Sequence, residues 1–274
     1  MSLLLEPFMQ TALAAAILVG LACALLGVYV VHRRMAFISD ALAHTTLPGV
    51  AVAYLGGVSL SIGATVAGVL TALLIAALSR RQRVREDTAI GIAFTGMFAL
   101  GVTILSLSKT TRNLNDVLFG NILSVTPGDL ALIGAVAAGV AVVLLLLHKE
   151  LELTSFDPTH AAAIGLNPDR LRLVLLILLA LTVVTSIQVI GLILTTALLV
   201  TPAATAGLIT KRLPQSMALA ALLSVVASVS GLALTCEIRG VPSGGAIVLC
   251  STALFLATAA IGRITSYVRR FRRA

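Results

Sequence analysis

Apolar runs of about the length of a membrane span follow one another along this chain, and short polar stretches separate them. A helix needs about 20 predominantly apolar residues to cross a bilayer. The pattern predicts an all-α polytopic membrane protein, because the short alternating segments of a transmembrane barrel are absent from the sequence. The predicted spans lie at roughly 8–32, 37–55, 58–79, 88–108, 128–148, 171–189, 191–210, 214–236 and 243–263.

Two of these segments leave the number of spans at eight or nine. The run between Arg172 and Lys211 contains no charged residue. At about 1.5 Å per residue it is nearly twice as long as a hydrocarbon core is thick. We therefore expect the chain to turn or break between Gln188 and Gly191. The segment 37–55 is short, and a re-entrant course there would reduce nine spans to eight.

Basic residues predict the orientation of the spans, because cytoplasmic loops carry an excess of Lys and Arg. With nine spans, most of the basic residues fall on one side of the membrane. These are Arg33, Arg34 and the clusters within 80–85, 149–172, 211–212 and 263–273. The other side holds Glu6, Asp116, Asp129 and Glu237, with Lys109, Arg112 and Arg239 as basic exceptions. Nine spans therefore predict an N-terminus outside and a C-terminus in the cytoplasm.

The composition predicts a single membrane domain over residues 1–274. The chain is 59% hydrophobic and only 11% charged, and no soluble domain of this size buries so much apolar surface. The formal net charge is +8, which raises the possibility of nucleic-acid binding. The basic residues stand at the ends of apolar runs, however, and this placement indicates membrane orientation instead.

Several kinds of chemistry lack their sequence signatures here. The chain has no GxxxxGK[ST] motif for binding ATP and no HExxH motif of a metalloprotease. Its three cysteines, Cys23, Cys236 and Cys250, are scattered without CxxC spacing, which argues against a disulfide framework or a copper(I) path. We expect no enzyme activity in this chain and no permanently bound cofactor.

Asp40 and His44 are ionisable residues inside an apolar segment, and they are the main candidates for function. Their spacing places them on one face of a helix. Ionisable groups in hydrocarbon are costly and usually mark an ion path or a proton relay. One oxygen and one nitrogen ligand suit a divalent metal of intermediate hardness. Two ligands are too few to hold a metal, but a symmetric dimer would bring four side chains together.

The residues after His44 add to this metal-path hypothesis. Pro48 has no N–H, so the carbonyl of His44 loses its usual helical partner and becomes a candidate third ligand. Gly49 loosens the same turn. The structural alternative is that Ser39 caps the helix, that Asp40 interacts with the helix dipole, and that His44 donates to a neighbouring helix.

The polar stretch of about 149–170 predicts a short helix between two spans. Asp157 is a good N-cap with Pro158 at the first helical position, and Gly165 is a good C-terminal stop. Leu153, Phe156 and Ile164 would give this helix apolar side chains for docking into a partner's groove. The alternative is a helix that rests at the lipid interface.

Two stripes of small residues at four-residue spacing predict close helix contacts. The stripes are Ala12, Ala16, Gly20 and Ala24, and then Ala64, Gly68, Ala72 and Ala76. Packing within one subunit and a dimer face are both open for them.

Four sequence blocks together resemble the membrane permease of the bacterial ABC importers for manganese, zinc and iron(II). The blocks are His32–Gly49, Asp116–Leu123, Lys149–Gly165 and Val189–Ala206. The resemblance implies a type II ABC importer fold and a bacterial inner-membrane homodimer. Its implied partners are two cytoplasmic ATPase subunits and an extracytoplasmic metal-binding protein. It also implies that Asp40 and His44 line the metal path.

The resemblance further implies roles for residues outside the acid–imidazole pair. Phe156, Asp157, Pro158, Ala161 and Gly165 would form the coupling helix that contacts the ATPase. Pro48, Gly49 and Pro202 would belong to the pathway or its gate.

The identity of the transported ion and the mode of transport complete the functional hypothesis. Phe156-Asp157-Pro158 looks more like the manganese branch than the zinc branch, although Asp40 and His44 fit Mn²⁺, Zn²⁺ and Fe²⁺. Asp116 and Glu237 would attract the cation at an outer mouth. The competing hypothesis is a secondary, ion-coupled metal transporter without an ATPase.

Overall fold

The described part of the chain is a bundle of α-helices. The computed structural model describes residues 7–80, 84–107, 125–237 and 241–271. All regular secondary structure in these residues is helical, as hydrocarbon requires, because a helix satisfies its own backbone groups. The helices are α1 (Pro7–His32), α2 (Ile38–Thr45), α3 (Leu47–Leu55), α4 (Leu60–Leu78), α5 (Glu86–Leu107), α6 (Pro127–Leu146), α7 (His148–Phe156), α8 (Pro158–Ala163), α9 (Pro168–Ile190), α10 (Leu192–Ile209), α11 (Leu213–Glu237) and α12 (Ser243–Phe271).

Eight of the described helices are long and apolar enough to cross a membrane, namely α1, α4, α5, α6, α9, α10, α11 and α12. The predicted all-α membrane fold is therefore confirmed. The predicted span at 37–55 is instead two short helices, α2 and α3, which meet at Thr46. Proline and threonine explain the break. Pro48 removes a backbone donor, while the hydroxyls of Thr45 and Thr46 donate to the carbonyls of Leu42 and Ala43.

The broken pair α2–α3 nevertheless runs from one end of the bundle to the other. Arg34, which precedes α2, and Ser79, which follows α4, line the same cavity. The chain therefore leaves one end of the bundle through α2 and α3 and returns to the same end through α4. The return helix has 19 residues, about 28 Å, and the outward pair must cover a similar distance. Among the described residues, eight long helices and this broken pair therefore make nine passages.

One end of the bundle is basic, as the sequence predicts. Arg33, Arg34, Arg85 and Arg172 all line the cavity at this end, although they come from three different parts of the chain. We call it the basic end. Glu237, the last residue of α11, is exposed at the opposite end.

The long uncharged run divides at Gly191, within the predicted interval. The helix α9 ends at Ile190 and α10 begins at Leu192. Gly191 has φ 88°, a left-handed conformation that costs glycine little and other residues more. The glycine thus ends one passage and begins the next.

The small-residue stripes pack within one subunit. Ala12, Ala16 and Ala24 are fully buried, and a Cβ on Gly20 would overlap the hydroxyl of Ser224 on α11. In the second stripe, a Cβ on Gly68 would come within 2.7 Å of Val184 on α9. These contacts bear out the intrasubunit interpretation, because both stripes are already covered by other helices of the same chain.

Glycines also hold α3 between its two neighbours. A Cβ on Gly49 would overlap the carbonyl oxygen of Gly63 on α4, and the reverse substitution would meet the carbonyl of Gly49. On the other side, a Cβ on Gly101 of α5 would lie 2.9 Å from the nitrogen of Pro48. Close backbone approach of this kind needs residues without side chains.

We expect Gly49→Ala to destabilise the folded chain by about 1 to 3 kcal/mol, because the new methyl group forces α3 and α4 apart. Thermal unfolding in detergent measures the loss. Gly139→Ala on α6 is the matched control, since an added Cβ there meets no atom within 4 Å. Both variants gain similar helix propensity, so equal melting temperatures for the two would contradict the close contact.

Candidate functional site

Asp40 and His44 lie together on α2, as their spacing predicts. The Nε2 of His44 is 3.9 Å from Oδ1 of Asp40. The side chain of His44 is 29% exposed and that of Asp40 is 39% exposed. The other residues of α2 are largely buried. The exposed face of the helix in one subunit is therefore the polar one that carries Asp40 and His44, and we call it the open face.

The structural alternative for Ser39 is wrong. Phe37 is the N-cap of α2, and no side chain caps the helix. Ser39 is buried instead, and its hydroxyl is 3.5 Å from the hydroxyl of Thr196 on α10. This contact ties the start of α2 to α10.

Aromatic side chains of α5 form one wall around His44. The imidazole meets the rings of Phe94 and Phe98 at centroid distances of 5.9 and 5.8 Å, and the two phenylalanine rings stack on each other. Among the described residues, the imidazole of His44 has no polar partner except Asp40. The expected alternative of a donation to a neighbouring helix is therefore not seen.

One subunit does not supply a complete metal site. The described residues contain no group of three or more His, Cys, Asp or Glu side chains that could hold a metal ion. The carbonyl of His44, the predicted third ligand, already accepts the N–H of Thr46 at the helix break. The two side chains therefore need ligands from water or from a second subunit.

The predicted pathway residues occupy tightly packed positions. Pro48 and Gly49 lie in the first turn of α3, between α4 and α5. Pro202 is buried inside α10, and a Cβ on Gly27 of α1 would overlap the nearby carbonyl of Leu199. Close packing accounts for these residues by itself, and their part in a gate stays a prediction.

The predicted short helix is present at the basic end. The side chain of Asp157 accepts the N–H of His160 at 2.9 Å and so caps α8. Gly165, with φ 91°, ends the turn that follows. Phe156 and Ile164 are each 58% exposed, whereas Ala161 is fully buried. Ala161 therefore anchors the helix, and the two larger residues form an apolar outer surface.

The predicted acids of the outer mouth are only partly described. Glu237 ends α11 and is exposed at the end of the bundle opposite the basic end. Asp116 and the sequence block around it lie outside the described residues. The attraction of a cation by these acids stays a prediction.

The structure also shows an ion cluster that sequence reasoning missed. Glu86 lies 3.7 Å from guanidinium nitrogens of both Arg33 and Arg172, and Arg172 is 2.7 Å from Asp169. The side chains of the two arginines are only 9% and 8% exposed. Burial lowers the pKa of Arg33, and the charge of Glu86 offsets only part of this lowering. We call these four residues the ion cluster.

A weak signal for this cluster exists in the sequence. Arg172 stands between Leu171 and Leu173 at the start of an apolar run, where a charge needs a partner. The identity of that partner comes only from the fold. The cluster borders a cavity of about 450 Å³ that is also lined by Thr154, Ser155 and Pro158.

Comparisons with known proteins give matches over nearly the whole chain. Residues 6–262 match a family model described as the ABC 3 transport family. The chain is 41% identical over 254 residues to "Manganese transport system membrane protein MntC" of Halalkalibacterium halodurans, covering 92% of this chain and 87% of that protein. It is 41% identical over 255 residues to "Chelated iron transport system membrane protein YfeD" of Yersinia pestis, with 93% and 85% covered. The solved structure "PsaBC from Streptococcus pneumoniae in complex with Fab" matches with a TM-score of 0.78 and 36% identity, covering 94% of this chain and 92% of that chain.

Proposed function

The chain belongs to the ABC 3 transport family, and we propose that it is the membrane permease of an ATP-driven importer of divalent transition-metal ions. The observation that carries this proposal is the open face of α2. There an acid and an imidazole, 3.9 Å apart, remain without further polar partners among the described residues. Placing two ionisable groups in a membrane bundle is costly, and transit of a cation gives a reason for it.

Two copies of the chain complete the path. A twofold axis beside α2 would bring two Asp40 carboxylates and two His44 imidazoles together. Four such ligands suit an ion of intermediate hardness. The exposure of both side chains in one subunit supports this arrangement, because a second subunit would cover them. Contacts of this kind bind weakly enough to let the ion leave, as transport requires.

The basic end faces the cytoplasm in this proposal. The positive-inside rule favours that orientation for Arg33, Arg34, Arg85 and Arg172. Nine passages then place the N-terminus outside and the C-terminus in the cytoplasm. The chain itself has no P-loop motif, so ATP would be hydrolysed by ATPase subunits on other chains. Each permease chain of the dimer would dock one such subunit through its exposed Phe156 and Ile164.

The remaining steps of the cycle follow from the two ends of the bundle. An extracytoplasmic metal-binding protein delivers the ion to the outer mouth, where Glu237 and Asp116 attract it. Binding of ATP closes the cytoplasmic subunits, and the segment around α8 carries the movement into the bundle. The ion then passes Asp40 and His44 and enters the cell.

Manganese is the proposed principal ion. Relatives are named for manganese and for chelated iron, and the Phe156-Asp157-Pro158 motif favours the manganese branch. Uptake of radioactive manganese, measured against iron(II) and zinc, decides among the three ions.

We expect Asp40→Ala and His44→Ala each to reduce ATP-driven manganese uptake at least about tenfold, because each removes two of four ligands from the dimer. The assay uses vesicles that hold the full complex. His148→Ala and Glu152→Gln are matched controls. They form another acid–imidazole pair at four-residue spacing, with a distance of 3.7 Å, but they lie at the basic end. Undiminished uptake by the α2 variants would refute the path assignment.

We expect Phe156→Ala to release the ATPase from the detergent-solubilised complex, because its ring supplies a large part of the exposed apolar surface beside α8. Copurification of the ATPase measures the loss. Phe8→Ala is the control, since Phe8 is 47% exposed and lies at the start of α1, away from the basic end. If no ATPase copurifies with the wild-type chain and uptake proceeds without ATP, the secondary-transporter alternative is correct instead.

A further inference from the structure

We propose that the ion cluster of Arg33, Glu86, Arg172 and Asp169 joins residues 156–165, which contain α8 and which we call the coupling segment, to two helices of the metal path. These are α2, which carries Asp40 and His44, and α5, which packs against His44. Movement at α8 is thereby converted into a change at the metal path. This inference rests on the proposed function, and it assigns the cluster a positioning role in transport.

The residues that precede and follow the coupling segment in the chain both contact or belong to the ion cluster. Before α8, Arg33 donates from Nε to the hydroxyl of Ser155 at 3.2 Å and from Nη2 to that of Thr154 at 3.4 Å. After α8, the start of α9 carries Asp169 in its first turn and Arg172 three residues later. A displacement of α8 therefore pulls on the cluster from two directions.

The cluster also stands at the start of both helices that surround the metal path. Glu86 is the first residue of α5, and the same helix carries the Phe94 and Phe98 rings that contact His44. Arg33 lies directly before the turn that leads into α2. The carboxylate of Glu86 thus connects the base of α5 to the turn before α2 through Arg33, and to α9 through Arg172.

The connection from Arg33 to α2 is a short turn whose backbone is fixed by hydrogen bonds. The N–H of Arg34 donates to the carbonyl of Val31, and the N–H of Met35 donates to that of Val30. Arg34 has φ 60°, the left-handed position that glycine usually occupies after a helix. Met35 is 1% exposed, and its carbonyl accepts the N–H of Ile38, the first residue of α2. A shift of Arg33 therefore reaches α2.

The charges in the cluster make Glu86 its central member. Two largely buried guanidinium groups repel each other, and a carboxylate between them offsets this repulsion. Asp169 partners Arg172, but among the described residues Glu86 is the only acid within 4.0 Å of Arg33. Without the charge of Glu86, Arg33 and Arg172 would separate, and the coupling segment would lose its attachment to α5.

The test compares ATP hydrolysis and manganese uptake in the same vesicles, with the full complex of permease, ATPase and binding protein. In Glu86→Gln we expect hydrolysis to continue while the number of ions imported per ATP falls about tenfold, within the usual range of coupling between sites. Asp87→Asn is the matched control, because it removes a neighbouring carboxylate that has no ion pair with any described residue. Its ratio of ions to ATP should stay at the wild-type value.

A second variant tests the same connection without removing a charge, in case Glu86→Gln fails to fold. Ser155→Ala leaves every charge in place and removes one acceptor of Arg33, so we expect a smaller fall in the same ratio, about threefold. A merely structural cluster would lower hydrolysis and uptake in proportion, and an unchanged ratio in both variants overturns the inference. A wild-type complex that imports none of manganese, iron(II) and zinc on adding ATP would instead overturn the proposed function.

Discussion

A hydrocarbon layer offers no hydrogen-bond partner to a backbone group and little solvation to a charge, and this constraint governs the whole architecture. It explains why the regular structure of the described residues is helical. It also explains why breaks in the helices lie where other groups replace the missing bonds. At Thr46 the threonine hydroxyls and a backbone N–H occupy the local carbonyls, and at Gly191 the turn is closed by the carbonyl of Ile187.

The same constraint gives meaning to the few polar groups that the bundle retains. The break between α2 and α3 interrupts a passage that would otherwise be one apolar helix, and Asp40 and His44 lie in the half next to the basic end. The second polar group, the ion cluster, lies at the junction of the coupling segment with α2 and α5. An ATP-driven permease needs both features, a path for the ion and a connection between that path and the ATPase.

Sequence reasoning predicted the features that depend on neighbouring residues. Asp157 caps α8, Gly165 ends its turn and Gly191 divides the long run, because caps and left-handed turns are decided within a few residues. Features that depend on distant residues were missed. The pairing of Glu86 with both Arg33 and Arg172 requires three separate parts of the chain to meet. The role of Gly49 as a contact for Gly63 likewise comes only from the packing of α3 on α4.

In the proposed transport cycle, a metal ion passes between the Asp40–His44 pairs of two subunits. Pulsed electron paramagnetic resonance of Mn²⁺ bound to the permease–ATPase complex, without the binding protein and with ¹⁵N-labelled histidine, tests it most directly. We expect coupling of the ion to two equivalent imidazole nitrogens, and loss of that coupling in His44→Gln. A spectrum with coupling to water protons alone, or nitrogen coupling that persists in His44→Gln, would contradict it.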